Sequence, residues 1–342
     1  MVNAALIGLG WWGKIIASLV QDNPLLRIAA VVEPDASQAR AFCDAKGLKL
    51  HSDYAEALRD PGIHAVILTT PHRLHAGQII EAARAGKHVF CEKPLTLTLD
   101  SAAQAIQACV RHNVRLGVGH ERRHEPPIQA LRALFEAGTL GTLLQIEGNF
   151  SQNKFLSLRP DNWRLSAAEA ACGPMTATGI HLLDLAASLG KGVKWAFAKN
   201  SALATRFESG DSLSTLLGLG NGATASINAM LATPFYSRLT VFGSKGWVEI
   251  RDKSHVEAPT GWLLTKAVGD EAPSVTDYPP ARPVLSNLEA FALSIAKSQD
   301  DYPVPLQDML NTVAAFEAVF KASLSGKVEE VAQMTVEEAV NR

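Results

Sequence analysis

The sequence has few cysteines for its 342 residues, and none forms a Cys-x-x-Cys motif. The four are Cys43, Cys91, Cys109 and Cys172. Such scattered cysteines fit a reducing compartment better than a disulfide framework. We therefore expect a cytoplasmic protein.

Long apolar runs and an excess of charge of one sign are also missing. No stretch approaches the ~20 apolar residues of a membrane helix, and the first apolar run breaks at Gly8 with no basic segment before it, unlike a signal peptide. The net charge of −2 gives no reason to expect nucleic acid or an anionic membrane as a partner. A hydrophobic content of 47% is that of an ordinary soluble protein, and the chain length favours two domains.

The first ~120 residues alternate strand-like and helix-like segments. The predicted strands are Ala4–Ile7, Ile28–Val32, Ala65–Leu68, His88–Phe90 and Val114–Gly119. The predicted helices are Trp12–Gln21, Asp35–Lys46, Leu74–Ala85 and Ser101–His112. Short continuous apolar runs are typical of strands buried on both faces. The α/β alternation predicts a doubly wound parallel sheet, a Rossmann domain over residues 1–121.

After Pro126-Pro127 the pattern changes to closely spaced strands. These are Leu143–Phe150, Trp195–Ala204, Leu213–Leu219, Ala223–Met230, Leu239–Phe242 and Trp247–Ile250, with helices predicted at Ile128–Ala137, Gly179–Leu189, Leu288–Ala296 and Leu306–Ser325. Asn221-Gly222 is a hairpin-turn signal. Residues 255–285 are rich in Pro and Gly and are predicted to form a loop. We expect a second α/β domain over 122–342 with a mostly antiparallel sheet, whose terminal helices are able to pack back on the first domain.

A dinucleotide-binding pattern, Gly8-Leu9-Gly10-Trp11-Trp12-Gly13, lies between the first strand and the first helix. Its glycines permit the turn, the approach of the pyrophosphate and close helix–strand packing. Glu33 follows the second strand, where a carboxylate accepts hydrogen bonds from the adenosine ribose and repels a 2′-phosphate. Because no Arg or Lys follows before Arg40, NAD is favoured over NADP.

Glu92-Lys93-Pro94 ends the strand that begins at His88. The carboxyl ends of strands are where open α/β sheets bind ligands. Proline fixes the backbone after the lysine, and a cis bond is one way to do so. Lys93 is our candidate for the group that hydrogen-bonds the reacting oxygen and moves its proton, since burial and a nicotinamide cation would both lower its pKa toward a useful value. The alternative is a structural Glu92–Lys93 ion pair.

With these residues, the chain resembles the glucose–fructose oxidoreductase / inositol dehydrogenase (Gfo/Idh/MocA) family over almost its whole length. The resemblance includes the glycine loop and the Glu-Lys-Pro segment. It also includes Thr70-Pro71-His72 with His75, Arg122-Arg123, Trp163-Arg164, Gly179-Ile180-His181-x-x-Asp184, Val241–Gly246 and Ser323. It implies a Rossmann domain and a C-terminal domain with an open-faced sheet, which commonly mediates dimers or tetramers. It also implies a substrate cleft beside the nicotinamide.

The resemblance implies a site of three parts. The expected cofactor-binding residues are Gly8, Gly10, Trp11, Trp12, Gly13, Glu33, Thr70, His72, His75, Glu92 and Lys93. The expected substrate-binding residues are Lys93, Arg123, Trp163, Arg164, Thr178 and His181. Lys93 and His181 are the expected catalytic pair, with Asp184 either holding the His181 imidazole or pairing elsewhere. We expect no metal site, because His72 and His75 have no third ligand at a sensible spacing.

One residue departs from the family pattern. Sugar and cyclitol dehydrogenases of the family often carry Asp-x-x-x-His, whereas this chain has Ala177 four residues before His181. A basic bias accompanies the change, formed by Arg122, Arg123, Lys154, Arg159 and Arg164. It is either a solvated surface or a clamp in which one or two arginines bind a substrate carboxylate.

The function predicted from these residues is NAD-dependent hydride transfer between nicotinamide and a secondary hydroxyl or ketone of a sugar, sugar acid, cyclitol or cyclic diol. Two alternatives stay open. One is other redox chemistry of the family, such as reduction of a C=C or imine bond or a transient oxidation. The other is a dinucleotide-sensing regulator without turnover. Ala177 keeps both open, while Lys93 and His181 favour the enzyme.

Overall fold

The computed structural model describes residues 1–296 and 302–342. Contacts between residues divide the chain into two units. The first contains Met1–Glu121, Val284–Leu310 and Met334–Arg342, and the second contains Arg122–Pro283 and Asn311–Gln333. The domain boundary after residue 121 stays a prediction.

The first unit is built on a six-stranded parallel sheet with the order β3-β2-β1-β4-β5-β6. Its strands are β1 (Val2–Ile7), β2 (Leu26–Val32), β3 (Lys49–His51), β4 (Ala65–Leu68), β5 (His88–Cys91) and β6 (Leu116–Val118). Its helices are α1 (Trp11–Leu19), α2 (Ala36–Lys46), α3 (Tyr54–Arg59), α4 (His75–Arg84) and α5 (Leu99–Arg111). This strand order places the switch point between β1 and β4, where such sheets bind dinucleotides.

Two later helices complete the first unit. In α8 (Pro283–Ala296), Phe291 packs edge-to-face on Phe90 of β5, with ring centroids 5.6 Å apart. The side-chain amide of Asn287 donates to the carbonyl of Val118 in β6. Near the C-terminus, α10 (Val336–Val340) accepts hydrogen bonds from the Gln107 side chain of α5.

The second unit contains a nine-stranded sheet with the order β14-β13-β12-β11-β7-β10-β9-β8-β15, in which only β7 and β10 are parallel neighbours. Its strands are β7 (Leu143–Ser151), β8 (Val193–Ser201), β9 (Ser212–Leu219), β10 (Thr224–Met230), β11 (Tyr236–Gly243), β12 (Gly246–Asp252), β13 (Trp262–Val268), β14 (Ser274–Tyr278) and β15 (Glu329–Glu330). Its helices are α6 (Pro126–Glu136) and α7 (Ile180–Leu189), and α9 (Leu306–Ser325) enters it at Asn311. The helix α7 packs on Gly148 of β7, where a Cβ would lie 2.9 Å from Leu182 Cδ1.

The predicted fold class is confirmed, since a parallel sheet with helices is followed by a mostly antiparallel one. The prediction of a loop over 255–285 was wrong, because β13 and β14 fall within it. The strand β14 is an exposed edge with no apolar alternation, so hydrophobic periodicity does not reveal it. Among the described residues, no helix is both long enough and apolar enough to cross a membrane.

Candidate active site

The glycine loop after β1 is shaped by close backbone contacts. Gly8 has φ +90°, a conformation that L side chains rarely adopt. At Gly13, a Cβ would lie 2.4 Å from the carbonyl oxygen of Gly8, so only glycine lets α1 start this near the loop. Gly10 has open space at its Cβ position. The Thr69 hydroxyl donates to the carbonyls of Ile7 and Gly8, which fixes the turn against the end of β4.

The start of α1 fits the phosphates of a dinucleotide. No side chain caps the helix at Gly10, and its first turn has no acidic residue. Its first N–H groups therefore remain for an anion. Glu33 Oε2 accepts from the Leu9 N–H at 2.8 Å, and Oε1 accepts from the Asp35 N–H at 3.2 Å. Because a carboxylate has about four lone-pair sites, Glu33 retains capacity for ribose hydroxyls.

The two tryptophans of the loop differ in exposure. Trp11 is 53% exposed and Trp12 is half-buried, with their ring centroids 5.5 Å apart. The Trp12 side chain lies near enough to the Glu92 carboxyl to lower its pKa, while its Nε1 is buried without a hydrogen-bond partner among the described residues. Trp12 therefore links the glycine loop to the end of β5, whereas Trp11 is accessible to a ligand.

His75 braces the loop after β4 and does not line a surface. Its ring is fully buried, with Nδ1 2.9 Å from the Pro94 carbonyl and Nε2 3.0 Å from the Thr70 carbonyl. Burial lowers the pKa of His75, although hydrogen bonds to these carbonyls oppose the shift. Cofactor contact by His75 stays a prediction, which the full burial of its ring does not favour.

Thr70 and His72 both lie close to the His75 ring. The Thr70 hydroxyl donates to the side chain of Gln78, and His72 is half-buried with its ring centroid 5.8 Å from that of His75. No group of three or more His, Cys, Asp or Glu side chains in residues 1–296 and 302–342 is arranged to hold a metal ion.

The Glu92-Lys93-Pro94 segment follows β5 directly, and the Lys93–Pro94 peptide bond is cis. Lys93 is half-buried, and its backbone N–H donates to Glu92 Oε2 at 3.2 Å. The Glu92 carboxyl packs against Gly119, where a Cβ would lie 2.6 Å from Oε2. Glycine at the end of β6 thus makes room for a buried carboxyl beside the candidate catalytic lysine.

Burial raises the pKa of Glu92, against lowering effects of the Trp12 side chain, the Lys93 charge and the Lys93 N–H. A raised native pKa contributes stability that is complete below the unfolded value of about 4.3 and is lost as pH rises through the native value. Glu92→Gln should therefore raise Tm near neutral pH, with the difference shrinking toward about pH 4. Thermal unfolding of both proteins across this range tests it. An equal or lower Tm for the variant near neutral pH would show that the carboxylate's hydrogen bonds outweigh its burial.

In the second unit, His181 lies in the first turn of α7 and is 5% exposed. The preceding residues Met175–Gly179 form a π-helical turn, a feature frequent at functional sites. Within this turn Ala177 is half-exposed, while the Thr178 hydroxyl donates to the Phe150 carbonyl at 2.7 Å. The ring centroids of His181 and Phe150 lie 6.0 Å apart. Thr178 therefore holds the end of β7 against the candidate histidine.

Arg123 and Asp184 form a buried two-pronged ion pair. Nε and Nη2 of Arg123 each donate to one oxygen of Asp184 at 2.7 Å, and the Thr312 hydroxyl of α9 donates to the same carboxylate at 3.1 Å. Both charged side chains are at most 6% exposed. Substrate binding by Arg123 stays a prediction, which this pairing does not favour. Asp184 was expected either to hold the His181 imidazole or to pair with another group, and its ion pair with Arg123 supports the second role.

The remaining basic residues separate into paired and available ones. Arg122 is bound by Asp252 and Glu125, and Lys154 by Glu257. Arg159 is 84% exposed and pairs with an exposed Asp161. Arg164 instead stacks on the half-buried Trp163, with its guanidinium carbon 4.4 Å from a ring centroid of the indole.

Arg164 is the available member of the basic group. Burial lowers its pKa, yet guanidinium stays charged. Within the described parts of the chain, its guanidinium has no carboxylate in ion-pair contact. Trp163-Arg164 therefore presents a half-buried cation on an aromatic surface.

The sequence did not single out five residues of the second unit, of which one contacts the His181 ring. They are Phe150, Gln152, Phe235, His255 and Glu257, and the last two lie in the segment predicted as a loop. Lys154 contacts His255, which lies 101 residues later in the chain and itself contacts Glu257. No local motif predicts such a contact, so only the fold shows it.

Comparison with known proteins identifies the family. Residues 2–120 match an oxidoreductase family with an NAD-binding Rossmann fold, and residues 128–249 match the GFO/IDH/MocA C-terminal domain. YrbE of Bacillus subtilis, an uncharacterized oxidoreductase, is 33% identical over 253 residues, which cover 72% of each chain. The chain belongs to the GFO/IDH/MocA family of oxidoreductases. This confirms the predicted resemblance and makes the first unit an NAD-binding Rossmann fold.

Two further proteins similar to this chain have names that state a substrate. Inositol 2-dehydrogenase of Rhizobium meliloti is 28% identical, covering 88% of this chain and 91% of its own. A solved structure of levoglucosan dehydrogenase with NADH and levoglucosan superposes with a TM-score of 0.85 at 21% identity, covering 97% of this chain and 100% of its own. The structural match shows that the fold is shared over nearly the whole chain.

Proposed function

We propose that this oxidoreductase is an NAD-dependent dehydrogenase that transfers a hydride between nicotinamide and a secondary hydroxyl or ketone of a sugar, sugar acid, cyclitol or cyclic diol. The half-buried Lys93 carries the proposal, because it follows β5 in the sheet that bears the uncapped glycine loop. The names of the inositol and levoglucosan dehydrogenases support a polyhydroxylated substrate.

The first unit would hold the cofactor through Gly8, Gly10 and Gly13, the α1 N-terminus and Glu33. Bound NAD supplies the hydride acceptor. Lys93 hydrogen-bonds the reacting oxygen and moves its proton, while Glu92 fixes the lysine backbone. The carboxylate of Glu33 favours NAD, since it repels the 2′-phosphate of NADP.

In the second unit, His181 is the proposed proton acceptor or substrate orienter. The Arg123–Asp184 pair positions its helix, because Asp184 lies one turn after His181. In the oxidation the carbon gives one hydride to nicotinamide and the hydroxyl gives one proton, for which the Lys93 side chain is the proposed first acceptor. We propose that 1–121 is the cofactor domain and 122–342 the substrate and oligomerisation domain, of which the terminal helices α8 and α10 pack in the first unit.

The test is NADH formation, followed by absorbance, across neutral sugars, inositols, sugar acids and cyclic diols. We expect turnover of one substrate class with NAD and much slower turnover with NADP. Tight NADH binding without turnover of any compound would favour the sensing regulator, the second candidate that the half-exposed Ala177 keeps in view. Failure to bind NADH would contradict the proposal.

Arg164 is the proposed carboxylate-binding residue for a sugar-acid substrate. A charge-assisted hydrogen bond contributes ~1.5–3 kcal/mol, so Arg164→Gln should raise KM for an acidic substrate about 10- to 100-fold. Glucuronate and glucose form a matched pair of probes, because both are pyranoses and they differ by a carboxylate in place of a hydroxymethyl group. The control is Arg159→Gln, which removes an exposed arginine and should change neither KM. An equal rise in KM for the neutral sugar in Arg164→Gln would contradict carboxylate binding by Arg164.

We propose that the nine-stranded sheet mediates a homodimer or homotetramer. Phe197 of β8 and Leu216 of β9 are direct cross-strand partners on its outer face and are 39% and 42% exposed. Phe197→Lys with Leu216→Lys should lower the mass of the particle to that of one chain, measured by light scattering after gel filtration. A wild-type monomer, or an unchanged mass in the variant, would contradict this interface.

We further propose that the enzyme is cytoplasmic, as its four free buried thiols favour.

A further inference from the structure

A second histidine, His255, lies in the same unit as His181 on the segment between β12 and β13. The segment is closed by its own hydrogen bonds, among them Lys253 N–H to the Gly261 carbonyl and Ala258 N–H to the His255 carbonyl. The side chain of His255 is 16% exposed. It therefore has a defined position and limited access to solvent.

Among the described residues, the His255 ring makes its polar contacts at one nitrogen, Nδ1. Nδ1 lies 2.9 Å from Glu257 Oε1 and 3.0 Å from Lys154 Nζ, and Lys154 also pairs with Glu257. Burial alone would raise the pKa of Glu257, but the hydrogen bonds and charges of His255 and Lys154 outweigh it and lower that pKa. The carboxylate thus stays charged and holds the imidazole, leaving Nε2 for a ligand.

One phenyl ring connects the two histidines. The Phe150 centroid lies 6.0 Å from that of His181 and 5.8 Å from that of His255, so the imidazoles are at most about 12 Å apart. Phe235 packs edge-to-face on both Phe150 and His255. Arg122 covers Phe150 at 4.8 Å. His255 is therefore locked beside the ring that also contacts the candidate catalytic histidine.

An unsatisfied acceptor lies on the segment that joins these groups. Gln152, between Phe150 and Lys154, is 6% exposed, and its Oε1 is buried with no hydrogen-bond partner among the described residues. A buried acceptor without a donor costs about 1–3 kcal/mol, which a ligand hydroxyl would offset. A carboxylate has no proton to donate and would not satisfy it.

We propose that His255 Nε2 and Gln152 Oε1 form a hydroxyl-binding subsite, which holds a hydroxyl of a polyhydroxylated substrate away from the carbon that is oxidised. If Nδ1 donates to Glu257, Nε2 is an acceptor, and if Nδ1 accepts from Lys154, Nε2 is a donor. A hydroxyl pairs with either form. The subsite supplies a polar contact in a chain that has Ala177 instead of aspartate, and it rests on the proposed dehydrogenase function.

Binding, not turnover, tests the subsite. The full chain is saturated with NADH, which prevents oxidation, and titrated calorimetrically with myo-inositol and with levoglucosan. His255→Phe keeps the ring packing and removes both nitrogens, so it should weaken polyol binding about tenfold. His255→Gln should recover part of the loss. Lys253→Ala, which removes an ion pair with Asp277 at the start of the same segment, should bind polyol like the wild type.

Equal polyol binding by wild type and His255→Phe overturns the subsite, as does an equal loss in Lys253→Ala or no wild-type binding of either polyol. If His255→Phe does not fold, Gln152→Met is measured in the same way with the same expectation. Polyol binding that depends on His255 without any NAD reduction would contradict the dehydrogenase and leave the subsite standing. NAD reduction together with polyol binding that does not depend on His255 would contradict the subsite and leave the dehydrogenase standing.

Discussion

Replacing Lys93 with methionine should lower kcat by about 10²- to 10⁴-fold, the usual contribution of a positioned acid–base group. Methionine keeps the length and apolar stem of lysine but has no proton to exchange. Glu92 binds the backbone of residue 93, a contact that survives the change. We therefore expect nearly wild-type NADH affinity, measured by fluorescence titration, beside the loss of kcat.

Lys93→Arg separates charge from proton transfer, because arginine stays charged and does not give up its proton in proteins. If proton transfer is the role of Lys93, arginine should not restore kcat. Restoration by arginine would assign Lys93 an electrostatic role instead. Lys49→Met is the matched control, since Lys49 is 60% exposed and pairs only loosely with Asp60 at 3.5 Å. Wild-type kcat in Lys93→Met would refute the catalytic assignment.

The Rossmann half of the fold was predictable because its strands are buried on both faces. Ala65–Leu68, for example, is completely buried and is a continuous apolar run in the sequence. The glycine loop was predictable for a similar reason, since the contact between Gly13 and the Gly8 carbonyl excludes every other residue. By contrast, β14 is an exposed edge strand defined only by its pairing with β13. Pairing of that kind leaves little trace in local sequence.

The candidate site was predictable by residue type but not by partner. The sequence shows basic residues near 122–164, yet whether each binds protein or ligand depends on pairs distant in sequence. Arg123 meets Asp184, 61 residues away, and Lys154 meets Glu257, 103 residues away. His75 and His72 look equivalent in the sequence, but only His75 is enclosed. Burial of an individual polar side chain is a property of packing, and local patterns do not contain it.

The Arg123–Asp184 pair should be among the most costly interactions to break. Asp184→Ala leaves a guanidinium buried without its carboxylate, which typically costs about 3–5 kcal/mol. Native domains are stable by only ~5–15 kcal/mol, so this is a large fraction of the total. Urea unfolding followed by tryptophan fluorescence measures it, because four of the six tryptophans lie in the second unit.

Two variants distinguish an unpaired charge from general disruption of α7. Arg123→Met combined with Asp184→Leu removes both charges and keeps apolar volume, so it should recover most of the stability that Asp184→Ala loses. Asp161→Ala breaks the exposed pair with Arg159 and should leave the unfolding curve unchanged. If the double variant is as unstable as Asp184→Ala, the contacts of Asp184 with Thr312 and its helix matter more than the charge. Recovery of stability without recovery of NAD reduction would show that the pair also positions His181, one turn away on the same helix.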